Sequence, residues 1–138
     1  MILRRDDKVK AISRIPLFGG CSGAELARIA SITVQADLPT GELLTREGEP
    51  GDEFFVLVTG TAEVQRGTKR IDSLGAGDFV GEMALLTDAP RTASVRATSP
   101  VTVLRATRRG FSELLDTSPA IQRKVRKALA DRIAPTAL

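Results

Sequence analysis

The spacing of hydrophobic residues changes twice along this chain. Up to residue 31 apolar side chains recur at helical intervals, and from residue 32 to 107 they alternate with polar ones in short runs. After residue 107 the helical interval returns. The pattern predicts a mainly β fold, a sandwich or barrel, with helices on either side.

The first part of the chain predicts two helices. Helical spacing covers residues 8–17, and Pro16 closes that segment into a turn. Ser22 with Glu25 three residues later has the form of a capping box, which predicts a second helix to about residue 31.

The alternating part predicts short strands separated by turns rich in Gly, Pro and Asp. After it, a helix is predicted from residue 108 and another from the Ser118-Pro119 pair, because proline favours the first turn of a helix. The predicted strands cover residues 33–38, 43–46, 54–58, 62–65, 92–97 and 101–106, with a further short strand just before Gly81.

The length of 138 residues suits one compact domain. We expect residues 1–138 to form that domain, with N-terminal helices over 1–31, the strands over 32–107 and C-terminal helices over 108–134. Because the sequence has no histidine and a single cysteine, Cys21, it lacks the pairs that activate a nucleophile and the usual ligands of zinc, iron or copper. We therefore expect a protein that is not an enzyme and holds no metal.

The net charge of +3 is uneven, since basic residues crowd the stretch from Arg123 to Arg132. A solvated helix face is the favoured interpretation over a surface for nucleic acid, lipid or an acidic partner, because no base-reading pattern accompanies the charges. No apolar run approaches a signal peptide or the roughly 20 residues of a membrane span. We expect a cytoplasmic location, and a cytoplasmic part of a membrane protein stays open.

The candidate chemistry lies in residues 77–95, which interrupt the barrel with a strand, a tight glycine turn, one apolar helical turn, a loop and a strand. Gly81 permits a close backbone approach. The amides of Met83 and Ala84 lie at the start of the helical turn, where free N–H groups favour an anion. These groups form half of a phosphate site.

Arg91 returns to the same end of the barrel and offers a planar fork of donors for two phosphate oxygens. Glu82 would repel a phosphate but accept hydrogen bonds from a ribose hydroxyl, and Thr92 adds a hydroxyl. Small side chains at Ala84 and Ala93 leave room for a ligand. The plainer alternative is an ion pair between Glu82 and Arg91, with a glycine that serves only the turn.

This segment closely resembles the phosphate-binding cassette of the cyclic-nucleotide-binding domain family, found in kinase regulatory subunits, nucleotide-gated channels and bacterial catabolite activators. The turns at residues 39–44 and 47–60 also resemble the family's barrel turns, so the resemblance covers about residues 15–129. It implies an eight-stranded β-roll or jelly-roll barrel, with the cassette over residues 79–95.

By this resemblance, Gly81, Glu82 and Ala84 would hold the ribose and phosphate, Arg91 would neutralise the phosphate, and Thr92 would contact phosphate or guanine. Three further residues complete the implied site. Val64 would line the base side, Val80 replaces an aromatic residue of many relatives, and Arg126 on a lid helix from residue 119 to about 133 would cap the base.

The expected ligand is cAMP or cGMP, with cAMP favoured, and no cofactor is expected. The expected role is a sensor that moves its C-terminal helices as the regulatory module of a larger protein, whose effector or channel domain is its partner. The alternatives are a degenerate domain that binds a protein, or the sensor of a catabolite-activator-type regulator. The latter is disfavoured because no helix-turn-helix pattern follows Leu129. A metal-dependent barrel enzyme lacks its histidines.

Overall fold

The computed structural model describes residues 5–81 and 90–137, which form helices at both ends and strands between them. The helices are α1 (Arg5–Ser13), a 3-10 helix (Pro16–Phe18), α2 (Gly23–Ile32), α3 (Arg108–Thr117) and α4 (Pro119–Ala137). The strands are β1 (Val34–Leu38), β2 (Leu43–Thr45), β3 (Glu53–Thr59), β4 (Ala62–Arg66), β5 (Lys69–Leu74), β6 (Phe79–Val80), β7 (Ser94–Ala97) and β8 (Val101–Thr107).

These strands form two antiparallel sheets of four strands each. The first sheet has the order β1-β8-β3-β6, and the second has the order β2-β7-β4-β5. The predicted class, mainly β with flanking helices at both ends, is confirmed.

The first sheet is buried on both faces at β3, which is apolar at every position from Phe54 to Val58. Phe54 and Val56 face the helices and belong to the helical core, whereas Phe55 and Leu57 face the second sheet and belong to the barrel core. The helical core also contains Ile12, Ile29, Leu104, Phe111, Leu114, Ile121 and Val125, and the barrel core Leu44, Ala62, Val80, Val95, Val101 and Val103.

Polar side chains fix the helix ends. The capping box at α2 is present as predicted: the Glu25 amide donates to Ser22 Oγ at 3.2 Å, and the Ser22 amide donates to Glu25 Oε1 at 2.9 Å. Lys8 Nζ donates to the carbonyls of Ala30 and Thr33, both at 2.6 Å, which ties α1 to the end of α2. Thr107 Oγ1 accepts from the Gly110 amide at 3.1 Å and caps α3.

Two predicted boundaries are wrong, and one strand was not predicted. The first helix ends at Ser13 instead of residue 17, because Pro16 starts a separate 3-10 helix. The strand predicted over 92–97 begins at Ser94. The segment Lys69–Leu74 was not predicted as a strand, because it is exposed up to Leu74 and has no inward alternation to reveal it. No helix in the described ranges is long and apolar enough to cross a membrane.

Candidate ligand-binding site

The turn after β6 brings the edge of the first sheet against Arg91. Gly81 has φ of +103°, in the left-handed region that favours glycine. A Cβ at this position would lie 2.6 Å from the carbonyl oxygen of Glu53 and 2.9 Å from Arg91 Nη1. The glycine is required by both its conformation and the close approach of these two groups.

The Arg91 side chain points into this crowded corner. The residue is 9% exposed, with Nη2 donating to the Glu53 carbonyl at 2.7 Å and Nη1 to the Gly81 carbonyl at 3.3 Å. Both of these acceptors are backbone carbonyls, and they orient the guanidinium. A buried, oriented guanidinium is a group that can grip two oxygens of one phosphate.

The backbone of Arg91 is held by the loop between β2 and β3. The Arg91 amide donates to the Glu49 carbonyl at 2.9 Å, and the Gly48 amide donates to the Arg91 carbonyl at 2.9 Å. Arg91 was expected at the start of the strand over residues 92–97. It lies three residues before the observed start of β7 at Ser94, and these two backbone hydrogen bonds fix its position.

Residues 91–94 form a return limb that leads from Arg91 into β7. Within it, Thr92 and Ala93 are held through their carbonyls. Thr92 is exposed, and its carbonyl accepts from Arg66 Nε at 3.1 Å. The Ala93 carbonyl accepts from Thr45 Oγ1 at 3.0 Å. Thr92 directly follows the buried Arg91 in the chain, and its contact with a ligand stays a prediction.

Glu47 connects the return limb to the turn between β4 and β5. Its amide donates to Ser94 Oγ at 2.9 Å, and its carboxylate accepts from the Gly67 amide at 2.8 Å. Neither Glu47 nor Arg66 was identified from the sequence. Arg66 could have been noticed, because it follows Val64 by two residues and a strand places such residues on one face.

The two predicted apolar contacts lie at the barrel core. Val80 is buried there and pairs with Phe55 of β3. Val64 is half-buried, packs against the same core and pairs with Val95 of β7. The structure thus groups Gly81, Arg91, Thr92, Ala93, Val64 and Val80 around the barrel core and its glycine turn, and their roles toward a ligand stay predictions.

Other predicted residues are not in this group. Glu82, Met83 and Ala84 lie outside the described residues, so the ribose contact and the row of amides stay predictions. Arg126 is exposed on α4, which packs mainly against α3 and the 3-10 helix and buries Ile121 and Val125 in the helical core. Its contact with a purine also stays a prediction. Among the described residues, no group of three His, Cys, Asp or Glu could hold a metal ion.

Comparison with known proteins identifies the fold that carries this site. The family model described as "Cyclic nucleotide-binding domain" matches residues 35–118, which include all eight described strands except the first residue of β1. The chain belongs to this family. The resemblance inferred from residues 77–95 is confirmed, and the two sheets with their flanking helices are the β-roll of cyclic nucleotide-binding domains.

This cyclic nucleotide-binding domain is 39% identical over 115 residues to a cAMP-dependent protein kinase regulatory subunit of Emericella nidulans, covering 82% of this chain and 28% of the relative. It is 35% identical to a cyclic nucleotide-gated potassium channel of Rhizobium etli, covering 94% of this chain and 37% of the channel. A solved structure described as cAMP-bound PfPKA-R superposes with a TM-score of 0.79 at 28% identity, covering 94% of this chain and 47% of that one. The chain therefore spans about a quarter to two-fifths of the curated relatives' length.

Proposed function

We propose that this domain binds a 3',5'-cyclic nucleotide, cAMP in preference to cGMP, at the corner formed by Gly81 and Arg91. The similar kinase subunit and the solved structure are named for cAMP, which supports this choice of ligand. The observation that carries the proposal is the buried guanidinium of Arg91, held by two neutral carbonyls beside a glycine. A singly charged phosphodiester matches this charge and its fork of donors.

The remaining contacts of the ligand follow from residues around that corner. Glu82 would accept hydrogen bonds from the ribose, and the amides of Met83 and Ala84 would face the phosphate. Thr92 would place a hydroxyl beside the phosphate or the purine. Val64 and Val80 would give the purine and ribose an apolar wall, because both pack against the barrel core.

Glu53, whose carbonyl binds Arg91, is followed by Phe54, which lies at the contact between the barrel and the helices. Arg91 donates to the carbonyl of Glu53, and the neighbouring ring of Phe54 lies 5.7 Å from that of Phe79 and 4.8 Å from that of Phe111 on α3. A ligand that draws the Gly81 turn inward would shift these rings and change how α3 and α4 dock. The ligand biases that equilibrium only by its preference for one docking state.

We further propose that residues 1–138 act as one sensor unit, without catalytic activity, in a larger protein such as a kinase regulatory subunit or a channel. The partial coverage of both relatives supports this context. Its location would be the cytoplasm or the cytoplasmic part of a membrane protein. A protein-binding domain that has lost its nucleotide, or the sensor of a catabolite-activator-type regulator, are the alternatives.

Calorimetric titration with cAMP and cGMP tests the proposal, with Arg91→Ala as the main variant. Loss of a charged partner from a confined phosphate costs on the order of 2–3 kcal/mol, so we expect affinity to fall by about 30-fold to 150-fold. The affinity of Arg91→Lys should lie between those of the parent and Arg91→Ala, because an ammonium keeps the charge but not the fork of donors. Melting curves of each variant check that it folds.

Arg96→Ala is the matched control. Arg96 is exposed on β7 and its Nη1 donates to the Gly41 carbonyl at 2.7 Å, so this variant also loses an arginine bound to a backbone carbonyl. We expect it to bind nucleotide as the parent does. Equal affinity of the parent and Arg91→Ala would show that the ligand site lies elsewhere.

A further inference from the structure

The end of strand β4 reaches the return limb. Ala62 and Val64 face the barrel core, whereas Gln65 Nε2 donates to Glu63 Oε1 at 2.6 Å on the opposite face. Alternation therefore places Arg66 on the same face as Val64, one step further toward the turn between β4 and β5. Arg66 lies where the base side of the proposed pocket meets the return limb.

The contact that Arg66 makes is with the backbone of Thr92. Its Nε donates to the Thr92 carbonyl at 3.1 Å, although the side chain is exposed. The turn that follows is braced as well, because the Glu47 carboxylate accepts from the Gly67 amide at 2.8 Å. The peptide after Thr92 thus has its direction set by a side chain from another strand.

We infer that Arg66 is a positioning residue that sets the affinity of the site and its choice between adenine and guanine. By holding the Thr92 carbonyl, it restrains the peptide that follows Thr92 and so the backbone position from which the Thr92 hydroxyl projects. This inference rests on the proposed function, since the hydroxyl matters only if a cyclic nucleotide binds beside it. The competing explanation is that Arg66 merely attracts an anion by its charge.

Three variants separate these explanations. Arg66→Met removes both the donor and the charge. Arg66→Gln removes the charge but keeps an N–H donor bonded to Cδ, the position of Nε in arginine. Lys69→Ala removes one positive charge from the same hairpin, where Lys69 is exposed.

Dissociation constants for cAMP and cGMP are measured by calorimetry for each variant. We expect Arg66→Met to weaken binding by about threefold to tenfold, the effect of one hydrogen bond, and to change the ratio of the two constants. Arg66→Gln and Lys69→Ala should both stay within about twofold of the parent, since exposed charges contribute little.

A double-mutant cycle with Thr92→Val tests whether Arg66 acts through Thr92. Valine keeps the backbone carbonyl that Arg66 binds but has no hydroxyl. We therefore expect Arg66→Met to change the cAMP-to-cGMP ratio in the parent background and to leave that ratio within about twofold in the Thr92→Val background. A merely structural effect of Arg66 would change both backgrounds alike.

Each other outcome overturns the inference. Equal losses in Arg66→Met, Arg66→Gln and Lys69→Ala would assign the effect to charge, and parental binding by Arg66→Met would show that the hydrogen bond has no role. If either outcome is found and the parent binds both nucleotides, only this inference fails. If the parent binds neither nucleotide, the proposed function fails with it.

Discussion

The two sheets of this domain differ in what covers them. The middle of the first sheet is buried on both faces, by the helical core on one side and the barrel core on the other. The second sheet faces the barrel core on one side only, and its outer face carries polar residues such as Glu63, Gln65 and Arg96. Apolar packing therefore dominates the contacts of the first sheet, whereas the loops and turns of the second sheet make polar contacts.

Arg91 connects the two sheets. Its backbone precedes β7 of the second sheet and is bound to the loop between β2 and β3, whereas its guanidinium donates to the carbonyls of Glu53 in β3 and of Gly81, just after β6 of the first sheet. A ligand that binds this guanidinium, as proposed above, would contact residues held by both sheets. The proposed coupling to the helices depends on this shared contact.

The largest difference between the sheets should appear in stability. Phe54→Ala removes a ring that is 1% exposed, and we expect the free energy of unfolding to fall by about 3–5 kcal/mol. Ile71→Ala in β5 of the second sheet, where the side chain is 43% exposed, should change it by at most about 0.5 kcal/mol. Urea denaturation of both variants measures the contrast, and similar losses would refute it.

A smaller effect should distinguish the two crowded glycines. Gly81 (φ +103°) and Gly60 (φ +93°) both have positive φ, and a Cβ at either would meet backbone, at Gly60 the carbonyl of Pro100. Alanine at each should destabilise the fold by about 1–3 kcal/mol. Only Gly81→Ala should also weaken cyclic nucleotide binding, by about tenfold, because its Cβ would displace Arg91.

Melting curves and calorimetry on the two glycine variants check this expectation. Parental nucleotide affinity in Gly81→Ala would show that the turn and the guanidinium are independent. A comparable loss of affinity in Gly60→Ala would show that strain anywhere in the barrel is transmitted to the site.

The smallest effect should come from the side chain of Glu53. Arg91 uses the backbone carbonyl of this residue, and the carboxylate forms a 3.9 Å ion pair with Arg105, between side chains that are 37% and 45% exposed. Glu53→Gln should therefore change stability by at most about 0.5 kcal/mol and affinity by at most about twofold. A large loss of binding by calorimetry would mean that the carboxylate itself belongs to the site.

Local patterns in the sequence predicted much of this architecture. The capping box at Ser22 and the apolar run before Gly60 are properties of a few neighbouring residues, and both are present. Strand β5 was missed because its partner β4, and not its own pattern, makes it a strand. Arg66 and Glu47 were missed for a related reason, since what each binds lies on another segment.

The hydrophobic period by itself predicted a mainly β fold with flanking helices, because that pattern is local. The resemblance of residues 77–95 to a known cassette implied the family and its β-roll, and the phosphate site that it implies stays a prediction. Only the tertiary structure decided what holds the guanidinium. Its acceptor on Glu53 lies 38 residues away and is a backbone carbonyl. Every residue has such a carbonyl, so no residue type marks the one that chain folding brings within reach.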